Sequence, residues 1–544
     1  MNIVRKPLTP AAAICCLLLS VAAGGAQPGS PGSDTFVRVF TVGGVVKGLT
    51  GSGLTLRNNQ RTDASIAADG GFIFPVFLSN GAKYSVSVVQ QPSSPTQVCT
   101  VINGSGVVSG ADVTNIVVSC QRQRHWHAAV QIGQSTGFSR DARVATDPSG
   151  NALAVWTLQP VPSEGTTGAF SNIFTSAGGW GAPLQVGPLD SAFRPKLAFD
   201  AGGNALAVWH SFNGSRFNVL WNRYTANVGW NAAATIPNPA ASNQIEPQIA
   251  IDSQGNAMAV WQQFDGSRYR IVASRYVGGS WAAPQPVDIG AGGSQAGTAI
   301  EPQVVLDTHG NALVVWQQFE PAANQTNLWS NRFSTADNTW GTPLELGQAQ
   351  NLDDPERTAR ILSDAHDNAL VVWNQPPAGV WSDRYVAGSG WQAPQLIGSG
   401  PGTDRPDVDL DADGNALAVW EQPVGGQHFI WANQFAVGSG WGKPAQIESH
   451  SGGDAVGARV AVDGSGNALA VWQQRVDARN SFDVWASRFS AAKWSAPERI
   501  SNAAGSAGGV AIAKDPQDNA LAVWEQFDAA DNVSVWSNRF DDQP

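Results

Sequence analysis

The sequence predicts an all-β chain: a closed ring of repeated sheets behind a small separate β-domain. Three observations carry that expectation. First, an Asp-to-Trp unit recurs eight times: "DPSGNALAVW" from Asp147, "DAGGNALAVW" from Asp200, "DSQGNAMAVW" from Asp252, "DTHGNALVVW" from Asp307, "DAHDNALVVW" from Asp364, "DADGNALAVW" from Asp411, "DGSGNALAVW" from Asp463 and "DPQDNALAVW" from Asp515. Copies stand 47 to 57 residues apart, the length of a four-stranded propeller blade. Second, all 22 tryptophans lie beyond about Arg122, at fixed places in that repeat. Third, the last copy stops after "VWSNRF" without its Trp-led fourth strand, and a matching "HWHAAVQI" stands at the front, His125 to Ile132. The expectation is an eight-bladed β-propeller over 122–544, closed by that front strand completing the last blade and preceded by a small β-sandwich.

In chain order, the first residues read as an export segment over 1–26. Arg5 and Lys6 give a positive start, "AAAICCLLLSVAA" an apolar run, and "GGA" before Gln27 the small residues of a cleavage site. The run is too short for a membrane span, and no later stretch is long enough, so no transmembrane segment is expected. The apolar run continues past Cys15 and Cys16, which argues against lipid attachment there. The expected location is exported: periplasmic, cell-surface or extracellular. Residues 27–34, "QPGSPGSD", read as a Pro/Gly/Ser linker.

Residues 35–121 hold no Trp and run in short β-type segments such as "GLTLRN", "GFIFPVFL", "YSVSVVQQ" and "VTNIVVSC", separated by Gly, Asn, Asp and Ser clusters. Short strands with turn signals every 8 to 12 residues point to a β-sandwich. Cys99 and Cys120 are expected to pair in an oxidising compartment, at a stabilisation of about 3 kcal/mol. The run "TVGGVVKGLTGSGLTLRNN…GGFIFP" resembles the Ig-like or carboxypeptidase-regulatory-like modules at the front of bacterial surface proteins, and the resemblance implies a spacer or adhesion unit.

One copy of the repeat shows the four expected strands: Glu246–Asp252, Asn256–Gln263, Arg270–Val277 and Ser280–Val287. Between the first two, the Asp252 side chain can cap backbone N–H groups and Gly255 can supply a positive φ. The second strand is apolar on both faces, as a strand between neighbouring sheets should be. Joining the chain ends through "HWHAAVQI" would remove two exposed sheet edges. The unit "D..GNA.AVW" resembles the hairpin of NHL-type propellers and, more loosely, the Asp-box turn of sialidase-type ones. It also resembles uncharacterised exported bacterial repeat proteins bearing "GNALAVWQQ…WANRF…GW". The Asp-to-Trp spacing departs from the sialidase pattern, so the resemblance carries no activity.

Charged residues are 14% of the chain and the net charge is −11, which argues against a nucleic-acid partner, since that would want a basic face. "DVDLDADGN" spaces Asp409, Asp411 and Asp413 as the first ligands of a calcium loop, but the twelfth position is Trp420 where such a loop needs Glu. An acidic strand and turn is the favoured reading, and calcium is the only cofactor candidate. No zinc, nucleophile or phosphate-loop motif stands out. Arg223, Arg275, Arg332, Arg384, Arg488 and Arg539 recur on the third strand, where they would pair with a turn Asp or stack on an aromatic ring. Candidate ligand contacts sit at the rim. Gln263, Gln318, Gln422 and Gln474 stand two after the repeated Trp, and Asp265, Arg268 and Tyr269 lie in the loop that follows in the third repeat. Aromatic rings beside amides and charges suit sugars or a protein surface. The sequence therefore favours a non-catalytic, monomeric binding or scaffold protein for a glycan or surface protein. The alternative is a glycoside hydrolase or polysaccharide lyase on the same ring, but no catalytic carboxylate pair can be assigned.

Overall fold

In the computed structural model the described residues are 38–541, except 123, 161–165, 290–296, 350–358, 376, 378, 449–452, 478–480, 491 and 502–504. The expected export segment and linker lie outside them, as do the acidic stretch 350–357 and most of the loop from Asp288 to Ile300. All described secondary structure is β, and no helix is long and apolar enough to cross a membrane. The chain divides into two compact units, Met1–Arg122 and Gln123–Pro544.

The first unit holds two four-stranded sheets. One runs Gly70–Ile73, Val42–Lys47, Val113–Arg122, Gln97–Ile102, and the other Thr62–Ile66, Leu54–Asn58, Lys83–Gln90, Ser105–Val107. Alternation buries Leu54, Leu56 and Asn58 on one face, where the leucines join Val42, Phe74, Ile116 and Val118 in a shared core. Cys99 and Cys120 face each other across paired strands and form the disulfide.

In the second unit each repeat folds as an antiparallel meander, and the sheets follow one another as a β-propeller. The third repeat is representative: Gln244–Ile251, Ala257–Phe264 and Tyr269–Val277 pair in order, followed by Ser280–Trp281 and Gln285–Pro286. The fourth strand, expected as one segment, is broken into these two short pieces. Ala282 N–H still bonds Arg275 O at 2.8 Å, but Pro284 has no N–H to donate.

The first and last repeats share one sheet. Val533–Asp541 pairs with His125–Trp126 and Val130–Gln131, the front segment "HWHAAVQI". Phe138 of the first repeat also pairs with Val533. First strands pack beside the first strands of the following repeats, and Ala507–Lys514 of the last packs beside Phe138–Thr146 of the first.

Three side-chain devices recur. The turn Asp accepts the N–H groups two and four residues on at 2.8–3.0 Å, in all eight repeats. Its second oxygen accepts the Asn side-chain N–H at 2.7–2.9 Å. The eight second-strand tryptophans, Trp156 to Trp524, are at most 1% exposed. Third-strand arginines reach the aromatic ring of the next repeat: Arg275 to Phe333, Arg384 to Phe435, Arg488 to Phe540 and, across the closure, Arg539 to Phe174, at 5.2–5.9 Å. Arg332 and Arg384 also reach the turn aspartates Asp307 and Asp364, at 3.2 and 3.7 Å.

Candidate functional site inside the ring

The rim glutamines expected to meet a ligand also have a role in the fold. Trp261, Trp316, Trp420, Trp472 and Trp524 donate their indole N–H to Gln263, Gln318, Gln422, Gln474 and Gln526 at 3.1–3.2 Å. A buried indole N–H needs an acceptor, and the side chain two residues on, on the same strand face, is placed to give one. Where that position is Leu158 or Ser211, the N–H of Trp156 or Trp209 has no partner among the described residues. Gln318 and Gln474 are themselves at most 1% exposed.

Asp265 caps its own loop, accepting N–H from Ser267 and Arg268 at 2.9 and 3.0 Å and the Ser267 hydroxyl at 2.8 Å. These bonds outweigh its slight burial and bring its carboxyl down to about 2. Arg268 lies 3.6 Å from the Asp265 carboxylate, and the Tyr269 ring packs on Phe264 at 5.5 Å. These three residues form a small polar knob on the third repeat.

The calcium triplet does not converge. Asp409 accepts Val462 N–H at 2.7 Å, Asp411 caps its turn, and Asp413 is exposed. Asp409 is on the strand and Asp411 is in the turn beyond it, and each carboxylate is bonded to a different backbone segment. Among the described residues the group whose ligand atoms do converge is Asp307, His309 and Asp367. Its carboxylates are already committed: Asp307 to His309 N–H, Asn311 and Arg332, and Asp367 to Thr308 N–H and hydroxyl at 2.7 and 2.6 Å.

Strain and charge concentrate on the first strands. Seven of them carry a bulge at the same place, six residues before the turn Asp, where the pairing register shifts. The bulge residue has positive φ in each: Asp141 (58°), Arg194 (50°), Glu246 (53°), Glu301 (54°), Arg405 (49°), Gly457 (66°) and Gly509 (58°). The equivalent in the remaining repeat, Thr358, lies outside the described residues. Five of the seven are charged non-glycine residues in a conformation that costs about 1–3 kcal/mol each. A bulge re-aims the side chains around it.

The neighbouring sheet holds several bulges in place through the residue just after its buried Trp. Glu421 accepts Gly457 N–H at 2.6 Å, and Glu525 accepts Ala142 N–H at 3.2 Å across the closure. Glu246 N–H points to His210 Nδ1 at 3.4 Å. The His210 ring stacks on Phe193 at 5.6 Å and meets Phe217 edge-on, an aromatic patch beside Arg194.

Two residues beyond the bulge stand Arg143, Lys196, Gln248, Gln303, Arg360, Asp407 and Arg459. Lys196 of the second repeat feels the charge of Arg360 in the fifth, and Arg143 of the first feels Asp407 in the sixth. These residues stand at one level on first strands that pack side by side from repeat to repeat. Arg194 pairs with Glu246 at 2.5 Å, Arg405 with Glu421 at 3.4 Å, and Arg360 with Asp407 at 3.5 Å.

Burial dominates the titration here. It pushes Glu525 up to about 7, aided by the charge of Asp141, and Asp407 up to about 6 against the pull of Arg360. Burial raises Glu421 as well, and brings His210 down to about 4. Lys196 falls well below the ordinary lysine range, through burial first and then repulsion from Arg143 and Arg360. Several ionisable groups perturbed on neighbouring strands mark a candidate site. The sequence reading passed over them; the available signal was a charged residue followed by Pro, as in Arg194-Pro195 and Glu246-Pro247, in otherwise apolar strands.

No protein-family model and no curated protein matches the chain. Among solved structures it is similar to a protein of unknown function from Dyadobacter fermentans, at 10% identity and TM-score 0.39, over 77% of this chain and 99% of that one. It is similar to the intramolecular trans-sialidase of Ruminococcus gnavus at 11% identity and TM-score 0.35, over 64% and 94% of the two chains. The β-propeller domain of the Trilobed protease from Pyrococcus furiosus gives 8% identity and TM-score 0.40, over 68% and 96%. None of these likenesses bears on what the interior site binds.

Proposed function

We propose that the protein is an exported, non-catalytic binding propeller of eight blades behind an Ig-like β-sandwich, and that it seats a glycan at the ring interior. The observation that carries this reading is the run of left-handed bulges with charged residues at Asp141, Arg194, Glu246, Glu301 and Arg405. Backbone strain held at five charged positions is hard to explain by stability alone. The Phe193–His210–Phe217 patch offers a ring face for stacking beside the Arg194–Glu246 pair, the mixture that polyols need. Export is supported by the Cys99–Cys120 disulfide and by the apolar run before Gln27. Eight blades are supported by the eight repeats and by the succession of their first strands.

The test is a glycan array on the folded chain from Gln27, alongside Arg194→Ala and Glu246→Ala. Saturable binding to one sugar class, lost in both variants, supports the reading. A blank array, or binding untouched by either variant, overturns it. Chelation should change nothing.

One observation favours the enzymatic alternative, a glycoside hydrolase. Glu525 is a buried acid raised to about 7 with the Asp141 carboxylate as its neighbour, the kind of pair that could serve as proton donor and partner. Turnover of a bound glycan, abolished by Glu525→Gln, would establish it over the binding reading.

A further inference from the structure

We infer that Asp383 is a proton-operated clasp between the fourth and fifth repeats. As a carboxylic acid it donates to main-chain carbonyls that the other copies satisfy with an amide or a hydroxyl; as a carboxylate it releases them.

The repeat supplies its own comparison. Two residues before the last aromatic of the third strand stand Asn172, Asn222, Asn331, Asn433 and Asn538, then Ser274 and Ser487, and in the fifth repeat Asp383. Each Asn gives its side-chain N–H groups to two carbonyls. One is on the edge of its own sheet, at 2.8–3.2 Å. The other is on the outermost strand of the preceding repeat or, for Asn172, on the closing segment, at 2.7–2.9 Å. Ser274 and Ser487 give their hydroxyls to the edge carbonyls of Ala282 and Ser495 at 2.7 and 2.9 Å. Seven of the eight copies therefore place a donor here, and an aspartate can do so only when protonated.

Asp383 holds the same pose as the amides. Arg384 N–H bonds its Oδ1 at 2.7 Å, as the following N–H bonds Oδ1 of Asn222, Asn331, Asn433 and Asn538 at 2.7–2.8 Å. Its second oxygen thus takes the place of the amide nitrogen. The surrounding backbone keeps the common register. Gln392 N–H bonds Arg384 O at 3.0 Å, as Asn231 N–H bonds Arg223 O at 2.9 Å. Leu346 follows Glu345 on the outer strand of the fourth repeat as Val186 follows Gln185 and Ile397 follows Leu396. It shares a core with Val371 and Trp381 of the fifth. The carbonyls in the acceptor positions are those of Gln392 and Leu346. At 3% exposure Asp383 has little water to replace them, so its ionised form faces carbonyl oxygens at a desolvation cost.

Burial pushes the Asp383 carboxyl up to about 6, against the pull of the Arg384 and Gln392 N–H groups. The charged and titratable neighbours are engaged elsewhere. Arg384 reaches Asp364 at 3.7 Å and the Phe435 ring, Tyr385 packs on Trp391, Glu345 is exposed, and Val371 stands opposite Asp383 on the second strand. A carboxyl raised from about 3.9 in an unfolded chain contributes its stability fully below that value and loses it as pH rises through about 6. The same joint carries a second contact of this sense. His309 Nδ1 lies 3.0 Å from Asp367, a pair held by charge only while the imidazole is protonated. Acid therefore tightens the joint between the fourth and fifth repeats, and neutral pH loosens it.

The experiment is hydrogen–deuterium exchange by mass spectrometry on the folded chain, at pH 5 and pH 7.5, with times scaled for the intrinsic exchange rate. In the wild type, peptides covering Leu344–Ala349, Gly379–Val386 and Gln395–Ser399 should lose protection at pH 7.5 by about tenfold or more. Peptides around Asn433, the same place in the sixth repeat, should keep theirs. Asp383→Asn restores the amide of the other copies and should hold protection equal at both pH values, with a higher melting temperature than wild type at pH 7.5 and little difference at pH 5. Asp383→Ser, the residue of two other copies, should likewise be insensitive to pH. Equal protection of the wild-type joint at both pH values overturns the inference. So does a pH-dependent loss that survives in Asp383→Asn, which would assign it to another group.

Discussion

At the scale of single residues, the same position does different work in different copies of the repeat. Gln422 accepts the Trp420 indole N–H at 3.1 Å, whereas Leu158 and Ser211 leave Trp156 and Trp209 without an acceptor among the described residues. Gln422→Leu should leave a buried donor unpaired and destabilise the chain by about 1–3 kcal/mol. Denaturant unfolding would show the lower midpoint, and ligand binding should be unchanged; a binding defect would return the glutamines to the rim. Just before Gln422 and Gln526, Glu421 and Glu525 each accept an N–H at the bulge of the next sheet. Glu525 is the sharpest case, raised to about 7 by burial from about 4.3 in an unfolded chain. A carboxyl whose folded pKa is raised binds its proton more tightly in the folded state. It therefore contributes stability fully below about pH 4.3, and that contribution is lost as pH climbs through 7. Glu525→Gln keeps an acceptor for Ala142 N–H and removes the charge. The variant should flatten the decline in melting temperature between about pH 4.5 and 7.5; an unchanged slope would mean that other groups set it.

At the scale of the strand, the bulge is the element that turns a structural repeat into a site. Gly509 shows how tightly it is built: a Cβ there would lie 2.8 Å from Glu525 Oε1, at a φ of 58°. Gly509→Ala should cost about 1–3 kcal/mol and displace the Glu525 carboxylate, read as a lower unfolding midpoint together with loss of the Glu525 pH slope. The hairpins were legible in the sequence because their causes are local. An Asp, an Asn four residues on and a residue with positive φ are all inside one short segment, even where Asp367 or Asp518 replaces Gly. The closing strand was legible because a missing copy at one end matched an extra one at the other. The bulges were not. Their aligned position reads Asp, Arg, Glu, Glu, Arg, Gly and Gly, with no shared residue type to signal positive φ. Part of what holds them, Glu421 or Glu525 on a bulge amide, comes from the neighbouring sheet, 36 or 383 residues away in sequence. The structural bond of the rim glutamines was not legible for a related reason: their partner is an indole buried beneath them, and composition alone reports exposure poorly.

At the scale of the whole second unit, the ring depends on a joint between residues about four hundred positions apart. Trp126 packs on Phe540 at 5.4 Å, His127 Nε2 meets Asp541 at 2.7 Å, and Asn172 of the first repeat donates to Ile132 O at 2.8 Å. Asn538 bonds both His127 O and Ile500 O at 2.8 Å, tying the closing strand to the preceding sheet. Arg539 reaches Phe174 on the far side of the joint. Deleting residues 125–132 from the full chain would remove the strand and expose the edge of Val533–Asp541, with its unpaired N–H and C=O groups. Exposed edges of that length recruit strands from other molecules. The deletion variant should elute as concentration-dependent oligomers, seen by light scattering, and its glycan binding should fall with the loss of ring geometry. Ile132→Asp is the milder probe. It leaves the backbone pairing of Val130 and Gln131 available while placing a charge where Ile132, 2% exposed, now packs, at about 3 kcal/mol or more. A monomeric, fully binding deletion variant would show that the ring is held by the packing between first strands, and that the closing strand only covers an edge.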